Sequence, residues 1–239
     1  MVLVIPVLPL GWMFAAREAR WRKFHLAPAI AVAALALPAH HVMSHRVVPV
    51  DDFLSRPHDL AVAESNLGVK FLRGEDVPKN SVVAVKWFLR AAEHGNSVGQ
   101  SNLGVMYAHG DGVPKDSVAA IHWYRKAAEQ DDAAAQFNLG GMYYLGEGVA
   151  KDLSEAVTWY RRSAEKGHAA ALFNLGVLHF KGEGVVQNEV EALALMILAA
   201  EAGDGAASEA ITTLEGQLGP DRARAARARA RELSRVLKR

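Results

Sequence analysis

The chain has 239 residues, of which 51% are hydrophobic and 22% charged, a composition typical of a folded protein and unlike that of a disordered one. It contains no cysteine, which excludes disulfides, thiolate metal sites and a cysteine nucleophile. The formal net charge of +1 conceals a basic C-terminal tail: residues 221–239 carry eight Lys/Arg and two acidic residues, whereas residues 40–220 carry fifteen Lys/Arg and twenty-three acidic residues.

The first 39 residues differ from the rest of the chain and are typical of an export signal. Four basic residues between Arg17 and Lys23 precede an uncharged, mostly apolar stretch from Leu26 to Ala39. A basic segment, an apolar stretch of about 7–15 residues and a small-residue exit describe a secretory signal peptide; a membrane span needs ~20 apolar residues. We therefore expect a periplasmic or secreted protein. Translation is expected to start at Met1 or Met13. The alternative is an uncleaved segment that anchors the protein in the membrane, facing the periplasm.

Residues 40–61 are interpreted as a linker, and three histidines near its start raise the question of a metal site. His40, His41 and His45 carry imidazoles, which suit zinc, copper or nickel. The nearest carboxylate is that of Asp51, and a linker does not hold ligands in a fixed arrangement. We predict no metal ion here and no other cofactor.

A unit of 36 residues then repeats four times without a gap. The string Asn66-Leu67-Gly68 returns at positions 102, 138 and 174, and Gly74 returns in the same step. A fixed period of 20–50 residues is typical of a solenoid, whose units bury their apolar faces only against their neighbours. We predict an all-α solenoid of four helical hairpins over residues 62–206, with units at about 63–98, 99–134, 135–170 and 171–206.

Each unit is predicted to form two helices, here called helix A and helix B. In the first unit, helix A spans about 62–72 and ends before Gly74, which supplies a left-handed C′ residue. Helix B follows a good N-cap residue in every unit: Asn80, Asp116, Asp152 and Asn188. Two units add a glutamate three residues later, which predicts capping boxes at Asp152/Glu155 and Asn188/Glu191. Glycine within helix A, as at Gly68, costs ~1 kcal/mol relative to Ala, and its repetition predicts a close approach of the helix B backbone.

The repeat decays after Gly203, where residues 207–217 are interpreted as a degenerate helix A. A final helix is predicted to begin at Pro220-Asp221, because proline suits the first helical position. Its small and apolar residues form one narrow stripe: Ala223, Ala226, Ala230, Leu233 and Leu237. Residues 207–239 therefore end the solenoid with a basic capping helix. Arginines alternate with alanines along it and no aromatic residue is interleaved, so we predict no nucleic-acid partner.

These repeats resemble a known family. The string from Asn102 to Asp116, followed by Ala120 to Glu129, is similar to the Sel-1-like repeat, a helical-hairpin relative of the tetratricopeptide repeat. The resemblance covers residues 63 to about 206 and implies a right-handed α/α superhelix that serves as an adaptor for protein–protein contacts. Some bacterial members are cysteine-rich, and a few of those are described as β-lactam-hydrolysing. That implies an alternative function, an envelope hydrolase of β-lactam or cell-wall type, for which a chain without cysteine is a poor match.

The sequence contains one string that matches a catalytic motif. Ser163 and Lys166 have the Ser-x-x-Lys spacing of serine β-lactamases and penicillin-binding proteins. The serine lies in a column occupied elsewhere by Ala91 and Ala127, and neither Lys-Thr-Gly nor Ser-Asp-Asn accompanies it. We interpret the match as chance and predict a non-catalytic protein.

The best candidates for ligand contact lie on helix A. The asparagine of each unit has two interpretations: its amide ties neighbouring backbone together, or it lines a groove and holds a peptide. Four residues on, a column of mixed character lies on the same helical face. The candidate ligand-facing residues are Asn66, Lys70, Asn102, Met106, Asn138, Met142, Asn174 and Leu178. We expect a protein or peptide partner, which the sequence does not identify, on the concave helix-A face.

Overall fold

The computed structural model describes residues 57–237, so the predicted signal peptide and most of the linker lie outside the described residues. The described part contains nine helices and no strand. They are α1 (Pro57–Arg73), α2 (Ser81–Glu93), α3 (Ser97–His109), α4 (Ser117–Ala128), α5 (Ala133–Leu145), α6 (Leu153–Glu165), α7 (Ala169–Lys181), α8 (Glu189–Glu201) and α9 (Ala207–Leu237). The odd-numbered helices α1 to α7 are the helices A of units 1 to 4, and α2 to α8 are the helices B.

Each helix packs against the next one along the chain, and α3 also contacts α1 and α5, the helices A on either side of it. The core consists of clusters that join helix B of one unit to helix A of the next. Ala120 and Tyr124 of α4, for example, pack with Leu139 and Met142 of α5. The predicted all-α solenoid is confirmed, since every unit buries its apolar face against a neighbour.

The helix B N-caps are as predicted, but the capping boxes are not. Asp116 Oδ1 accepts hydrogen bonds from the backbone N–H groups of Val118 and Ala119, at 3.0 and 2.9 Å. The backbone N–H of each cap residue donates to a carbonyl of the preceding helix A. These bonds are Asn80 to Phe71, Asp116 to Tyr107, Asp152 to Tyr143 and Asn188 to His179, at 2.8–3.0 Å. A capping box needs that same N–H for the glutamate, so the boxes predicted with Glu155 and Glu191 are wrong.

The glycine in the middle of helix A makes room for a ring rather than for backbone. A Cβ at Gly104 would lie 2.6 Å from the Tyr124 ring, and one at Gly68 would lie 2.5 Å from the ring of Phe88. Among the four glycines of this mid-helix column, Gly176 alone has a helix B main-chain atom as its nearest neighbour. The predicted close approach of the helix B backbone is therefore found at Gly176 alone of the four; at Gly68, Gly104 and Gly140 the close neighbour is the aromatic side chain of helix B.

A second glycine, in the turn between helix A and helix B, brings successive units together. At Gly112, with φ +73°, a Cβ would lie 2.5 Å from the backbone of Ser81 in the preceding helix B; at Gly148, the distance to Ser117 is 2.7 Å. In the first unit the residue is Asp76, with φ 62°. Residues 57–237 contain no helix B before α2, so no preceding helix B lies against Asp76 there, and its carboxylate pairs with Lys70 at 2.9 Å.

The C-terminal helix α9 is broken at Gly219, which has φ 77° and ψ 171°. The break falls directly before Pro220, where the sequence predicts the capping helix to begin. Beyond it, Ala226 and Ala230 are buried, and two arginines pair with acidic residues of α8: Arg222 with Glu189 at 2.8 Å and Arg229 with Glu191 at 2.9 Å. Part of the basic tail thus offsets the charge of the last hairpin.

Candidate binding surface

Four positions on each helix A, one helical turn apart, are partly or fully exposed in every unit. In α3 they are Val98, Asn102, Val105 and His109, whose spacing places them on one face of the helix. We call this surface the helix-A stripe. Its members are Val62, Asn66, Val69, Arg73, Val98, Asn102, Val105, His109, Ala134, Asn138, Gly141, Leu145, Ala170, Asn174, Val177 and Lys181.

The predicted candidates divide between this stripe and the core. The four asparagines belong to the stripe. The column four residues on does not: Met106, Met142 and Leu178 are 1, 6 and 2% exposed and pack in the core, while Lys70 pairs with Asp76 at 2.9 Å. In units 2 to 4 the partly exposed neighbour of the asparagine is therefore three residues on, not four.

The asparagine side chains make different contacts in different units. Asn102 Nδ2 donates to the Val98 carbonyl of its own helix at 2.9 Å. Burial raises the pKa of the Tyr160 hydroxyl, and a hydrogen bond between this hydroxyl and the Asn174 side chain acts in the opposite direction. Asn174 therefore joins two units, as the structural interpretation expects, whereas Asn102 does not.

The two cations of the stripe, each at the C-terminal end of its helix, are paired with a glutamate two residues on. Arg73 lies 3.4 Å from Glu75, and Lys181 lies 4.0 Å from Glu183. With these cations paired, the middle of the stripe consists of valine, alanine, glycine and asparagine. It is a surface of low charge that combines apolar groups with amides.

The stripe continues by the same 36-residue step into the residue before α9 and the first half of that helix. Ala206, Ala210, Thr213 and Gln217 are the equivalents of Ala170, Asn174, Val177 and Lys181. There the surface opens into a cavity of about 360 Å³, lined also by Phe180, Met196 and Leu214. The sequence analysis did not predict this cavity, although the sequence has Ala210 at the position where the four units have asparagine.

One side of helix B in units 1 to 3 carries a partly buried tryptophan with a cation three residues on over its ring. Arg90 lies 5.0 Å from the Trp87 ring, and Lys126 lies 4.8 Å from that of Trp123. The third pair, Arg162 over Trp159, repeats this arrangement at 4.8 Å. Because the exposed ring faces are already covered, this side is a poorer stacking surface than the tryptophans alone suggest.

One acidic side chain is almost fully buried near the N-terminal end of the described chain. Glu64 lies 3.0 Å from Arg90 Nε and 2.7 Å from His94 Nδ1. In unit 2 the equivalent residue, Gln100, donates to the Ala92 carbonyl of the preceding helix B at 3.2 Å. Glu64 joins its own two helices instead, and we assign it a structural role.

The Ser-x-x-Lys string does not form a nucleophile and base. Ser163 is fully buried and its hydroxyl donates to the Ala133 carbonyl at 2.6 Å. Lys166 Nζ lies 3.0 Å from Asp131 Oδ2, and this hydrogen bond lowers the pKa of Asp131. A serine that is closed off from solvent and bonded to backbone cannot meet a substrate, so the envelope-hydrolase alternative is not favoured.

Between residues 57 and 237, no group of three metal-binding side chains comes together. His40, His41 and His45 lie outside this range. None of the helices described has both the length and the hydrophobicity of a membrane span.

Comparison with known proteins identifies the repeat. The Sel1 repeat profile matches residues 61–96, 97–132, 133–168 and 169–204. No curated protein matches the chain. Among solved structures, it is similar to a Sel1 repeat protein from Oxalobacter formigenes, with 35% identity and a TM-score of 0.62 over 78% of this chain and 71% of that one.

It is also similar to a protective antigen of uropathogenic Escherichia coli strains that displays an SLR fold, with 30% identity and a TM-score of 0.64. That match covers 88% of this chain but 45% of the antigen, so the chain spans less than half of that protein's length. The four matched segments and these structures show that the chain belongs to the Sel1 repeat family.

Proposed function

We propose that this protein is a non-catalytic scaffold that binds an extended segment of a partner protein along the helix-A stripe. Sel1 repeat proteins generally mediate protein–protein interactions, which supports the class of function. The observation that carries the choice of surface is the helix-A stripe itself: the same four positions stay partly exposed in every unit, and one is always asparagine. In this proposal the stripe lies on the concave side of the superhelix.

The chemistry of the stripe favours a peptide. A side-chain amide both donates and accepts, so it can bond the N–H and C=O groups of an extended backbone. Valines beside the asparagines, as at Val98 and Val105, offer apolar contact for the side chains of that segment. The low charge of the stripe disfavours nucleic acid, whose binding depends mainly on phosphate contacts.

The test is a set of peptides selected against the full chain from a random library, with affinities measured by fluorescence anisotropy. Replacing both Asn102 and Asn138 with alanine should weaken binding by about 10- to 100-fold, because each amide hydrogen bond is worth ~0.5–1.5 kcal/mol. The matched control replaces the exposed helix B residues His122 and Thr158 with alanine and should leave the affinity unchanged. Equal affinity of the stripe variant and the native chain would remove the support for this surface.

We also propose that the protein is exported, on the strength of the basic segment and apolar stretch between Arg17 and Ala39. N-terminal sequencing after cell fractionation tests this. A chain that begins near His40 in a periplasmic or secreted fraction is expected, and a membrane-bound chain with the segment retained would indicate the anchored alternative. A soluble cytosolic chain that begins at Met1 or Met13 would contradict export.

A further inference from the structure

We propose that the cavity at the C-terminal end of the helix-A stripe is the anchor site for the bound segment and takes one large apolar side chain, that of leucine, methionine or phenylalanine. The inference rests on the proposed function, because it concerns the segment that the stripe binds. It adds a specificity that the asparagines cannot provide, since amides contact backbone that all residues share.

The cavity has an apolar floor and an open mouth. Met196 and Leu214 are buried beneath it, and Phe180 forms one wall. Its volume of about 360 Å³ lies at the small end of the range for ligand sites, roughly 300–1,000 Å³. It therefore suits part of a ligand, such as a single side chain, better than a whole folded surface.

Changes at two positions account for the space. In the column where units 2 and 3 have Tyr124 and Tyr160, the last unit has Met196. In the asparagine column, the degenerate helix A has Ala210, which contributes only a methyl group. Methionine is unbranched and adapts its shape, so the floor can fit anchors of different outline.

The position of the cavity on the stripe indicates that it binds a side chain of the segment bound there. Ala206, Ala210 and Thr213 continue the helix-A stripe, so a segment lying along the asparagines reaches the mouth without leaving the surface. Among the residues that line the cavity, Glu209 alone is charged, and it is exposed. An apolar side chain on an uncharged segment matches this lining, whereas an acidic one would meet a like charge.

The test uses blocked peptides of about seven residues built from glycine, serine and asparagine, with leucine, methionine, phenylalanine or alanine at the centre. The full chain is labelled at the methionine methyl groups, and the Met196 signal is assigned with Met196→Leu. The three large side chains should bind about 10- to 100-fold more tightly than alanine and shift the Met196 signal, since burying such a side chain contributes that much to affinity.

A matched pair of variants tests the site itself. Ala206 and Ala134 are exposed alanines of the same column, and only the first lines the cavity. Ala206→Leu fills the space and should abolish the preference for a large central residue, whereas Ala134→Leu should retain it. A preference that survives Ala206→Leu, or equal binding of all four peptides, would overturn the proposal.

Further outcomes separate this inference from the function on which it rests. If all peptides bind equally but Asn102→Ala with Asn138→Ala weakens each of them, the stripe is the binding surface and the anchor is wrong. If no peptide binds, both proposals fail. A Met196 signal that responds to decanoate and to none of the peptides would mean that the cavity takes a free lipid chain, which also overturns the anchor.

Discussion

Two adjacent glycines in α5 give opposite expectations for one substitution. A Cβ at Gly140 would lie 2.8 Å from the Tyr160 ring, which is much closer than the optimal carbon–carbon distance of about 3.5–4.0 Å. Tyr160 is buried, so its ring has little room to move. At Gly141 the nearest atom outside the helix backbone is the Tyr160 hydroxyl oxygen at 3.7 Å, an ordinary contact. We therefore compare Gly140→Ala with Gly141→Ala.

The helix gains the same amount from either change, since alanine is more favourable than glycine in a helix interior by roughly 0.5–1 kcal/mol. Overpacking a core costs about 1–3 kcal/mol and applies only at Gly140. Gly141→Ala should raise the free energy of unfolding by about 0.5–1 kcal/mol, and Gly140→Ala should lower it by up to about 2 kcal/mol. The difference between the variants, about 1–3 kcal/mol, measures the steric cost alone.

The assay is urea unfolding of the full chain followed by circular dichroism at 222 nm. The pair is repeated in a Tyr160→Met background, because the last unit places the smaller Met196 against Gly176. There the difference between the two glycine variants should shrink, as expected for residues in direct contact. Equal shifts of the urea midpoint for both variants, or a difference unaffected by Tyr160→Met, would refute the packing described here.

Three further predictions concern caps, turns and the buried serine. His168 Nδ1 accepts a hydrogen bond from the Ala171 N–H at 3.3 Å, and burial lowers the pKa of His168. The neutral side chain therefore contributes fully to stability above the pKa of histidine in the unfolded chain, about 6.5, and this contribution is lost as the pH falls below that value. Asparagine is the residue that caps the second helix A, at Asn96. His168→Asn should therefore reduce the fall in urea midpoint between pH 8 and pH 5.5, whereas the exposed control His122→Asn should not. Equal changes of midpoint with pH in the two variants would contradict this. Gly148→Ala should lower the free energy of unfolding by more than about 2 kcal/mol, because the new Cβ would meet the Ser117 backbone and the residue has a positive φ. Asp76→Gly, at the equivalent position of the first unit, should change it by less than about 1 kcal/mol. Similar melting temperatures for the two variants would show that this turn does not hold one unit against the next. Ser163→Ala should cost about 0.5–1.5 kcal/mol through the lost bond to Ala133 and leave nitrocefin turnover unchanged, so turnover that depends on Ser163 would overturn its structural role.

The features that sequence predicted best are those set by local backbone geometry. The cap residues Asp116 and Asn188 could be recognised because a short polar side chain satisfies the free N–H groups of the first turn wherever that turn lies. The failure of the capping boxes has a tertiary cause, since the N–H that Glu155 would accept from is already bonded to Tyr143 of the preceding helix. Local rules cannot foresee a competing carbonyl from another helix.

The candidate surface was only partly predictable for a related reason. Positions three and four residues from an asparagine flank it on the helix equally well, so spacing alone does not show which one meets the core. The structure buries Met106 in the core and leaves Val105 partly exposed, because α3 packs on its neighbours on the Met106 side. The cavity near Met196 depends on the summed volumes of side chains from three helices, which no single segment of sequence encodes.

The most direct test of the account is to find which face of the solenoid a bound segment contacts. Val98 on the helix-A stripe and Val118 on helix B of the same unit are both exposed valines, at 48 and 66%. A photo-reactive residue is placed at each position in turn, and crosslinking to a selected peptide is measured by mass spectrometry. Crosslinking from position 98 and none from position 118 is the predicted result; crosslinking from position 118 alone would contradict the assignment of the helix-A stripe as the binding surface.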